Sequence, residues 1–171
     1  MGSLHFLIPD QEAASDHSST VASTSSTARY LEELTARLTD HVANREWTHP
    51  DWRDYLIPEY TAYLEYSEHP ITKTRKAYLE NSKAFVDAHP TYILQRVAIS
   101  AEVNENNGTA VVWQLLKVKG HPANVERESV TLVYWRRQAG KWRAYKQTGI
   151  RGIDWYPQGD EHPAPNSSDK H

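Results

Sequence analysis

The sequence contains no cysteine, so disulfide bonds, thiol catalysis and cysteine-ligated metal sites are excluded. No apolar stretch approaches the roughly 18 residues that a membrane span needs. The N-terminus lacks a basic segment, which is untypical of a signal peptide. The net charge is −3 and basic residues form no run, so we do not expect nucleic acid as a partner. These absences predict one cytoplasmic domain that neither enters a membrane nor binds nucleic acid.

Motifs of the common cofactor enzymes are also missing. The sequence has no G-x-G-x-x-G, no phosphate-binding P-loop and no G-x-S-x-G nucleophile turn. The nine histidines show neither H-x-H nor H-E-x-x-H spacing. We therefore predict that the protein uses no cofactor and has no metal site.

Aromatic residues with a polar tip are abundant. Six Trp and ten Tyr accompany only two Phe. Such side chains are favoured where an apolar surface must also offer hydrogen bonds, as in a ligand pocket. A core and a dimer interface rich in these rings would explain the same composition.

The two ends of the chain differ from its middle. Residues 1–26 are rich in Ser, Thr and Ala without a period, which predicts a disordered tail. Residues 158–171 are rich in Pro, Asp and Ser and are predicted to form a flexible tail. The folded domain is therefore expected over residues 27–157.

Periodicity predicts three helices followed by strands. The helices are expected over 28–46, over 51–56 and from Thr72 to His89. Strands are expected over 60–66, 91–103, 109–119, 125–137 and 141–149. The order ααβαββββ is typical of an α+β domain in which helices cover one face of an antiparallel sheet.

Three local sequences carry a resemblance to a known superfamily. They are Asn44-Arg45-Glu46-Trp47 at a helix end, Pro58-Glu59-Tyr60 before a strand, and Gly140-Lys141-Trp142 in a hairpin. With the element order, they resemble the nuclear transport factor 2-like superfamily, and within it the SnoaL-like polyketide cyclases and isomerases. The resemblance implies a cone-shaped, curved antiparallel sheet wrapped around three helices, an inner cavity, and a homodimer formed through the outer sheet face.

The bases of the known enzymes in this superfamily are not retained. The aspartate that acts as the general base of SnoaL cyclases corresponds to Gln147. The base of ketosteroid isomerase corresponds to Leu64, and its phenol donor corresponds to Leu38. These departures argue against a ketosteroid isomerase and against an aspartate-driven cyclase mechanism.

Scytalone dehydratase gives four further correspondences. Its two catalytic histidines correspond to Arg96 and Trp113, and its substrate-holding serine and asparagine correspond to Ser129 and Thr131. The resemblance therefore implies that these four side chains face the cavity, while the dehydratase acid–base pair is absent.

The hairpin at 138–140 predicts the remaining cavity-facing residues. A three-residue loop pairs Arg137 with Lys141. Opposed residues share a face of the sheet, so one face is predicted to carry Ser129, Thr131, Val133, Tyr145 and Gln147. A register slip of one residue would instead bring Glu128 into the cavity as an alternative base.

Four residues are candidates for catalysis, each with a structural alternative. Arg96 either stabilises an oxyanion or pairs with Glu128 or a carboxylate at the rim. Tyr145 either donates a proton or fills the core. Gln147 either orients a carbonyl group or bonds across the strands. His41 either moves protons or lies half exposed at a helix edge.

These residues lead to one functional hypothesis and one alternative. The hypothesis is a cofactor-independent isomerase or cyclase, or secondarily a dehydratase, that acts on a polycyclic secondary-metabolite carbonyl compound. The alternative is a non-catalytic module that binds a small molecule or dimerises. The predicted substrate-binding residues are Arg45, Tyr60, Leu64, Tyr66, Val86, Trp113, Ser129, Thr131 and Val133.

Overall fold

A computed structural model describes residues 14–65 and 70–155, and their side chains over 24–65 and 70–152. The elements are α1 (Ala14–Ala43), α2 (Asp51–Tyr55), β1 (Leu56–Leu64), β2 (Ile71–Thr72), α3 (Arg75–Ala88), β3 (Ile93–Asn104), β4 (Thr109–Lys119), β5 (Glu126–Gln138) and β6 (Lys141–Trp155). The predicted α+β class is confirmed. The predicted order lacks only the two-residue strand β2.

Helix α1 begins at Ala14, 14 residues before the predicted start at residue 28. The segment 14–26, predicted as part of a disordered tail, is therefore helical. Neither Gly nor Pro occurs between Ala14 and Ala43. Once the packed part of a helix has formed, each further residue adds one hydrogen bond, so the helix extends through Ser- and Thr-rich sequence.

The same helix ends three residues earlier than predicted, at Ala43. Arg45 takes a left-handed conformation with φ of 61°. The Glu46 amide donates to the His41 carbonyl at 2.8 Å, and the Arg45 amide donates to the Val42 carbonyl at 3.1 Å. This is a Schellman ending, in which glycine usually occupies the left-handed position.

Helix α3 begins two residues later than predicted. Its N-cap is Thr74, whose hydroxyl accepts a hydrogen bond from the Ala77 amide at 3.1 Å. Thr72, the predicted cap, lies in strand β2 and pairs with Ala62. Both threonines are suitable caps, and the pairing of β2 with β1 decides between them.

The six strands form one open sheet in the order β2-β1-β6-β5-β4-β3. Neighbouring strands are antiparallel apart from β1 and β6, which run parallel. The first strand of the chain therefore pairs with the last. One edge of the sheet is the two-residue strand β2, and the opposite edge is the long strand β3.

The hairpin between β5 and β6 has a two-residue turn, and the predicted three-residue loop is wrong. Gln138 pairs with Lys141, and Ala139 and Gly140 form the turn with φ of 47° and 76°. Two positive φ values define a type I′ turn, whose twist matches that of the strands. The prediction assigned the left-handed conformation to Gly140 alone.

A β-bulge at Tyr145 offsets that register error. Trp135 pairs with Ala144, whereas Tyr134 pairs with Lys146, so Tyr145 is the extra residue. Beyond the bulge, Val133 pairs with Gln147. The shorter turn shifts the register by one residue and the bulge by another, which returns Gln147 to the predicted face.

Helix α1 lies across the concave face of the sheet. Its Leu31, Leu34 and Leu38 are buried. The Trp135 indole donates a hydrogen bond to the Thr35 hydroxyl at 3.1 Å, and both side chains are buried. A buried indole N–H needs such a partner, so this bond sets where the helix crosses the sheet.

The convex face of the sheet carries exposed apolar side chains. Trp113, Val130 and Ile150 are 43%, 37% and 49% exposed. Trp113 pairs with Leu132 and Val130 pairs with Ile150, so these side chains adjoin on three consecutive strands. Such contiguous apolar surface commonly marks an association site.

Over the described residues, no helix has the length and apolar character required to cross a membrane.

We predict that this convex face forms a homodimer and that Trp113→Glu yields a monomer. A carboxylate in the centre of the interface would be buried without a partner, which costs several kcal/mol, on the order of the whole stability of a weak dimer. Sedimentation velocity at micromolar concentration measures the outcome. Tyr30→Glu, at an exposed position of helix α1, is the matched control and should remain dimeric. A monomeric parent chain would contradict the prediction.

Candidate ligand-binding cavity

A cavity lies between the concave face of the sheet and helices α1, α2 and α3. Its volume is about 60 Å³. It is lined by Thr35, Leu38, Thr39, Val42, Trp52, Leu56, Tyr60, Leu64, Tyr78, Asn81, Ser82, Phe85, Val86, Tyr92, Leu94, Gln114, Leu116, Thr131, Val133 and Gln147. Among the described lining residues, none carries a carboxylate, an imidazole or a cationic group.

One polar pair in the cavity joins the two parallel strands. The Tyr60 hydroxyl donates to Gln147 Oε1 at 2.8 Å. Tyr60 is buried, and its ring meets that of Tyr78 edge-on with the centroids 5.2 Å apart. The parallel register pairs Ala62 with Gln147, which places both partners on the concave side. This arrangement presents a phenol and a carboxamide to the cavity.

A second polar pair joins helix α1 to β4. Gln114 Nε2 donates to the Thr39 hydroxyl at 2.9 Å, and that hydroxyl lies 3.1 Å from the Thr35 carbonyl oxygen. Gln114 is almost fully buried. A buried carboxamide must be hydrogen-bonded, since an unsatisfied one costs about 1–3 kcal/mol. The pair therefore gives the helix-side wall of the cavity a polar spot.

Aromatic rings surround the far end of the cavity, where α3 meets the start of β3. Phe85 meets Tyr92 and His121 edge-on, with centroids 5.2 and 4.7 Å apart. The ring centroids of His89 and His121 are 4.1 Å apart. Burial, followed by the charges of His89 and Arg127, lowers the pKa of His121 below its ordinary value. The imidazoles lie behind Phe85, outside the lining.

The structure brings six of the predicted site residues into the lining. They are Tyr60, Leu64, Val86, Thr131, Val133 and Gln147. Val86 comes from α3. The other five come from three strands, where their side chains lie on the concave face of the sheet.

Arg96 does not line the cavity, and the proposed oxyanion clamp is placed wrongly. Its guanidinium donates to Asp40 Oδ1 at 3.0 Å and to the Ala36 carbonyl at 3.2 Å. Arg96 lies two residues after Leu94 on β3, at a point where α1 covers the strand. The helix therefore takes up the guanidinium. The structure matches the structural alternative for Arg96, an ion pair with a carboxylate at the rim. The partner is Asp40 and not Glu128.

Tyr145 and Trp113 are on the convex side, and their predicted cavity positions are wrong. Tyr145 is the bulge residue. It contacts Tyr134, and the Arg136 guanidinium lies 5.2 Å from its ring centroid. Trp113 alternates with the buried residues Val112 and Gln114 of β4, so it points outward. The strand is apolar on both faces, and its composition therefore does not distinguish them.

Neither predicted residue at the end of α1 reaches the cavity. His41 is buried behind Trp52, with the ring centroids 5.8 Å apart, and is not among the lining residues. Arg45 is exposed and donates to the Pro90 carbonyl at 3.2 Å. Its left-handed backbone turns the chain away from the cavity.

The remaining predicted residues lie apart from the lining. Ser129 is buried on the concave face, where its hydroxyl donates to the Ile150 carbonyl at 2.9 Å. Glu128 faces the convex side beside Lys117, so the alternative base is placed wrongly. The register slip did occur, but a strand's own alternation decides which face Glu128 takes. Tyr66 lies outside the described residues.

Sequence reasoning missed seven polar residues of the lining, which are Thr35, Thr39, Tyr78, Asn81, Ser82, Tyr92 and Gln114. Gln114 has a period-2 signal, because Ala110, Val112, Leu116 and Val118 recur with it at every second position and all are buried. Thr39 follows Leu38 and Tyr78 precedes Leu79 by one residue, so each lies at the edge of the apolar side of its helix. Their contribution depends on how the helices rotate against the sheet.

Solved structures with this fold come from several bacteria. They include an NTF2-like protein of unknown function from Pseudomonas putida KT2440 (TM-score 0.62, 13% identity, 73% of this chain and 86% of that chain). A candidate ketosteroid isomerase from Shewanella frigidimarina NCIMB 400 gives a TM-score of 0.56 at 9% identity over 69% and 92% of the chains. A candidate scytalone dehydratase from Novosphingobium aromaticivorans DSM 12444 gives a TM-score of 0.57 at 9% identity, over 78% of this chain and 94% of that chain.

No family model and no curated protein matches the sequence. At these identities the structural likeness shows the fold alone, and the fold is that of the nuclear transport factor 2-like proteins. One fold of this kind hosts many functions, so the site must identify the function.

We predict that Arg96→Met folds normally, retains the cavity and loses about 1 kcal/mol of stability or less. The ion pair with Asp40 is partly exposed, with the two side chains 28% and 55% accessible, and water screens such pairs. Urea denaturation measures the change in the free energy of unfolding. A loss of several kcal/mol would show that the guanidinium is a structural centre of the domain.

We predict that stability decreases below about pH 6.5 through His121. The lowered pKa means that the unfolded chain binds a proton at a pH where the folded protein does not. Protonation therefore favours unfolding between the ordinary pKa and the lower folded value. Melting temperatures measured from pH 7.5 to 5 should fall less in His121→Asn than in the parent chain. Parallel curves would contradict this assignment.

Proposed function

We propose that the chain binds a small, uncharged and largely apolar molecule that carries a carbonyl or hydroxyl oxygen. The observation that supports this function is the cavity wall, which combines apolar side chains with the Tyr60–Gln147 and Thr39–Gln114 pairs. The described lining offers no group to neutralise a charged ligand, and burying an unpaired charge is expensive.

The size of the cavity favours a compact ligand. A volume of about 60 Å³ corresponds to roughly two water molecules at liquid density. A short branched chain of a few atoms matches this space, whereas a benzene-sized ring needs on the order of 150 Å³ and requires the cavity to widen. The polycyclic ligand expected from the SnoaL-like resemblance requires the aromatic end at Phe85 and Tyr92 to open.

The Tyr60–Gln147 pair is suited to bind the ligand's oxygen. The phenol can turn from Gln147 Oε1 to a ligand carbonyl, while the carboxamide can donate or accept. Tyr78 lies beside Tyr60 and also lines the cavity. A ligand hydroxyl would accept from the phenol and donate to Gln147 Oε1, so both groups would stay bonded. A ligand carbonyl would bond the phenol but leave Gln147 Oε1 without its donor.

Catalysis in the same cavity is a second candidate. Structural neighbours that are named as a candidate isomerase and a candidate dehydratase share the fold, and the Tyr60 phenol is a donor that could stabilise an oxyanion. The described lining lacks a carboxylate or imidazole to remove a proton. A phenol would have to carry the proton in both directions, so the geometry supports binding better than turnover.

Tyr60→Phe tests the proposed site. For a small branched ketone we expect binding to weaken about threefold to tenfold, the loss of one neutral hydrogen bond. Binding of the hydrocarbon of the same shape should not change. Tyr63→Phe is the matched control, because Tyr63 is on the same strand but exposed. Ligand-observed NMR gives both affinities, and equal losses for ketone and hydrocarbon would contradict the assigned role.

The same samples separate binding from catalysis. In deuterated water, an isomerase would accelerate the exchange of hydrogen next to the ketone carbonyl, and NMR follows this exchange directly. Binding without accelerated exchange supports the module. Accelerated exchange that Tyr60→Phe abolishes would establish the enzyme instead.

A further inference from the structure

A cluster of ligating side chains lies where α1 turns into α2, one layer behind the cavity. His41 is in the last turn of α1, His49 is in the connection, and Asp51 opens α2. The Schellman ending at Arg45 reverses the chain and brings these residues together. One ligand atom from each of His41, His49 and Asp51 lies within 4.8 Å of the others.

The distances approach those around a bound metal ion. His41 Nε2 lies 3.0 Å from Asp51 Oδ2, and His49 Nδ1 lies 3.6 Å from Asp51 Oδ1. The two imidazoles are stacked with their centroids 3.9 Å apart. Ligand atoms at 2.0–2.1 Å from a tetrahedral zinc ion are about 3.3 Å apart. Because stacked rings do not direct both lone pairs at one point, the His49 ring must rotate out of the stack when an ion binds.

Glu46 gives this cluster the second layer that metal-binding histidines need. Its carboxylate oxygen Oε2 lies 2.5 Å from His41 Nδ1. A ligating histidine commonly donates its second N–H to a carboxylate, which orients the ring and increases its basicity. The contact leaves His41 Nε2 directed at Asp51, the position from which it would bind an ion.

The lone pair of His49 Nδ1 is held by a single backbone donor, which an ion would displace. His49 Nδ1 accepts a hydrogen bond from the Asp51 amide at 3.2 Å, so this nitrogen carries no proton in that state. That amide is in the first turn of a helix, where water can serve as its acceptor. Arg37 Nη2 lies 3.2 Å from Asp51 Oδ2. The guanidinium opposes a cation there, whereas Oδ1 on the side of His49 remains free to bind one.

We propose that His41, His49 and Asp51 bind a divalent first-row transition-metal ion, with zinc as the reference ion and water as the fourth ligand. Two imidazole nitrogens and one carboxylate oxygen are a typical zinc donor set, and they disfavour magnesium and calcium. When the ion binds, the proton between His41 Nε2 and Asp51 leaves to solvent. This proposal departs from the prediction of no metal site, which was drawn from histidine spacing, because the turn brings together residues whose proximity that spacing does not show.

The site would connect the surface to the cavity. The His49 side chain is 38% exposed, so an ion can enter from solvent. Behind it, the Trp52 indole donates to the Glu46 carbonyl at 2.8 Å and also lines the cavity. A bound ion would hold the connection 44–50 against Trp52 and thereby stiffen one cavity wall.

Calorimetric titration of the full chain, without a histidine tag, with zinc chloride tests the proposal. We expect one ion per chain at the strongest site, release of protons when buffers of different ionisation enthalpy are compared, and no comparable heat with magnesium. His49→Ala should weaken zinc binding by at least about tenfold, and Glu46→Gln by about 10- to 100-fold. Cobalt, used as a coloured substitute, should give absorption bands that His49→Ala abolishes.

His89→Ala is the matched control. His89 also contacts a second histidine, the ring of His121 edge-on at 4.1 Å between centroids, but no described carboxylate pairs with either ring. The control should bind zinc like the parent chain. Parental affinity in both His49→Ala and Asp51→Asn, with folding verified by circular dichroism, would overturn the proposal and assign any bound zinc to histidines elsewhere in the chain.

Discussion

The buried hydrogen bond between the Trp135 indole and the Thr35 hydroxyl is the contact on which the rest of the structure depends. It holds the long helix α1 across the concave face of the sheet, and the remaining space between them is the cavity. The leucines of α1 could pack against the sheet at several rotations, since apolar contact is non-directional. A buried indole N–H tolerates only those rotations that give it an acceptor. The same rotation places Thr39 opposite Gln114 and Asp40 beside Arg96.

The cavity that results contains two hydrogen-bonded polar pairs. Tyr60 bonds to Gln147 and Thr39 bonds to Gln114, so these four side chains stay bonded in the ligand-free state. The guanidinium of Arg96 lies outside the cavity, because it is hydrogen-bonded to Asp40 and the Ala36 carbonyl of helix α1. The fold is shared with proteins named as candidate isomerases and dehydratases, yet the proton-transfer groups such reactions require are not in the described lining. The difference between binding and catalysis therefore reduces to whether a phenol alone can move a proton.

The register of the hairpin between β5 and β6 was predicted wrongly, and this error changed which side chains were expected in the cavity. The type I′ turn at Ala139 and Gly140 moved every pair of the last hairpin by one residue, and the bulge at Tyr145 moved them again. Gln147 was predicted on the correct face because the two shifts add to an even number. Tyr145 precedes the point where the second shift is complete and was predicted on the wrong face. Turn and bulge each follow from local backbone energies of about 1 kcal/mol, which residue types indicate only weakly.

The sequence by itself determined the class of fold and the approximate elements, because hydrophobic period and turn residues act locally. It also excluded thiol and disulfide chemistry. The choice of the inner face of β5 came from the resemblance to the nuclear transport factor 2-like proteins. Only the tertiary structure decided which face of β4 is inside, since that strand is apolar on both faces and the covering helix chooses Gln114 over Trp113. Only the tertiary structure brought His41 to Asp51, since a left-handed residue reverses the chain between them. Proximity across such a turn is a property of backbone geometry, which residue spacing along the chain does not encode.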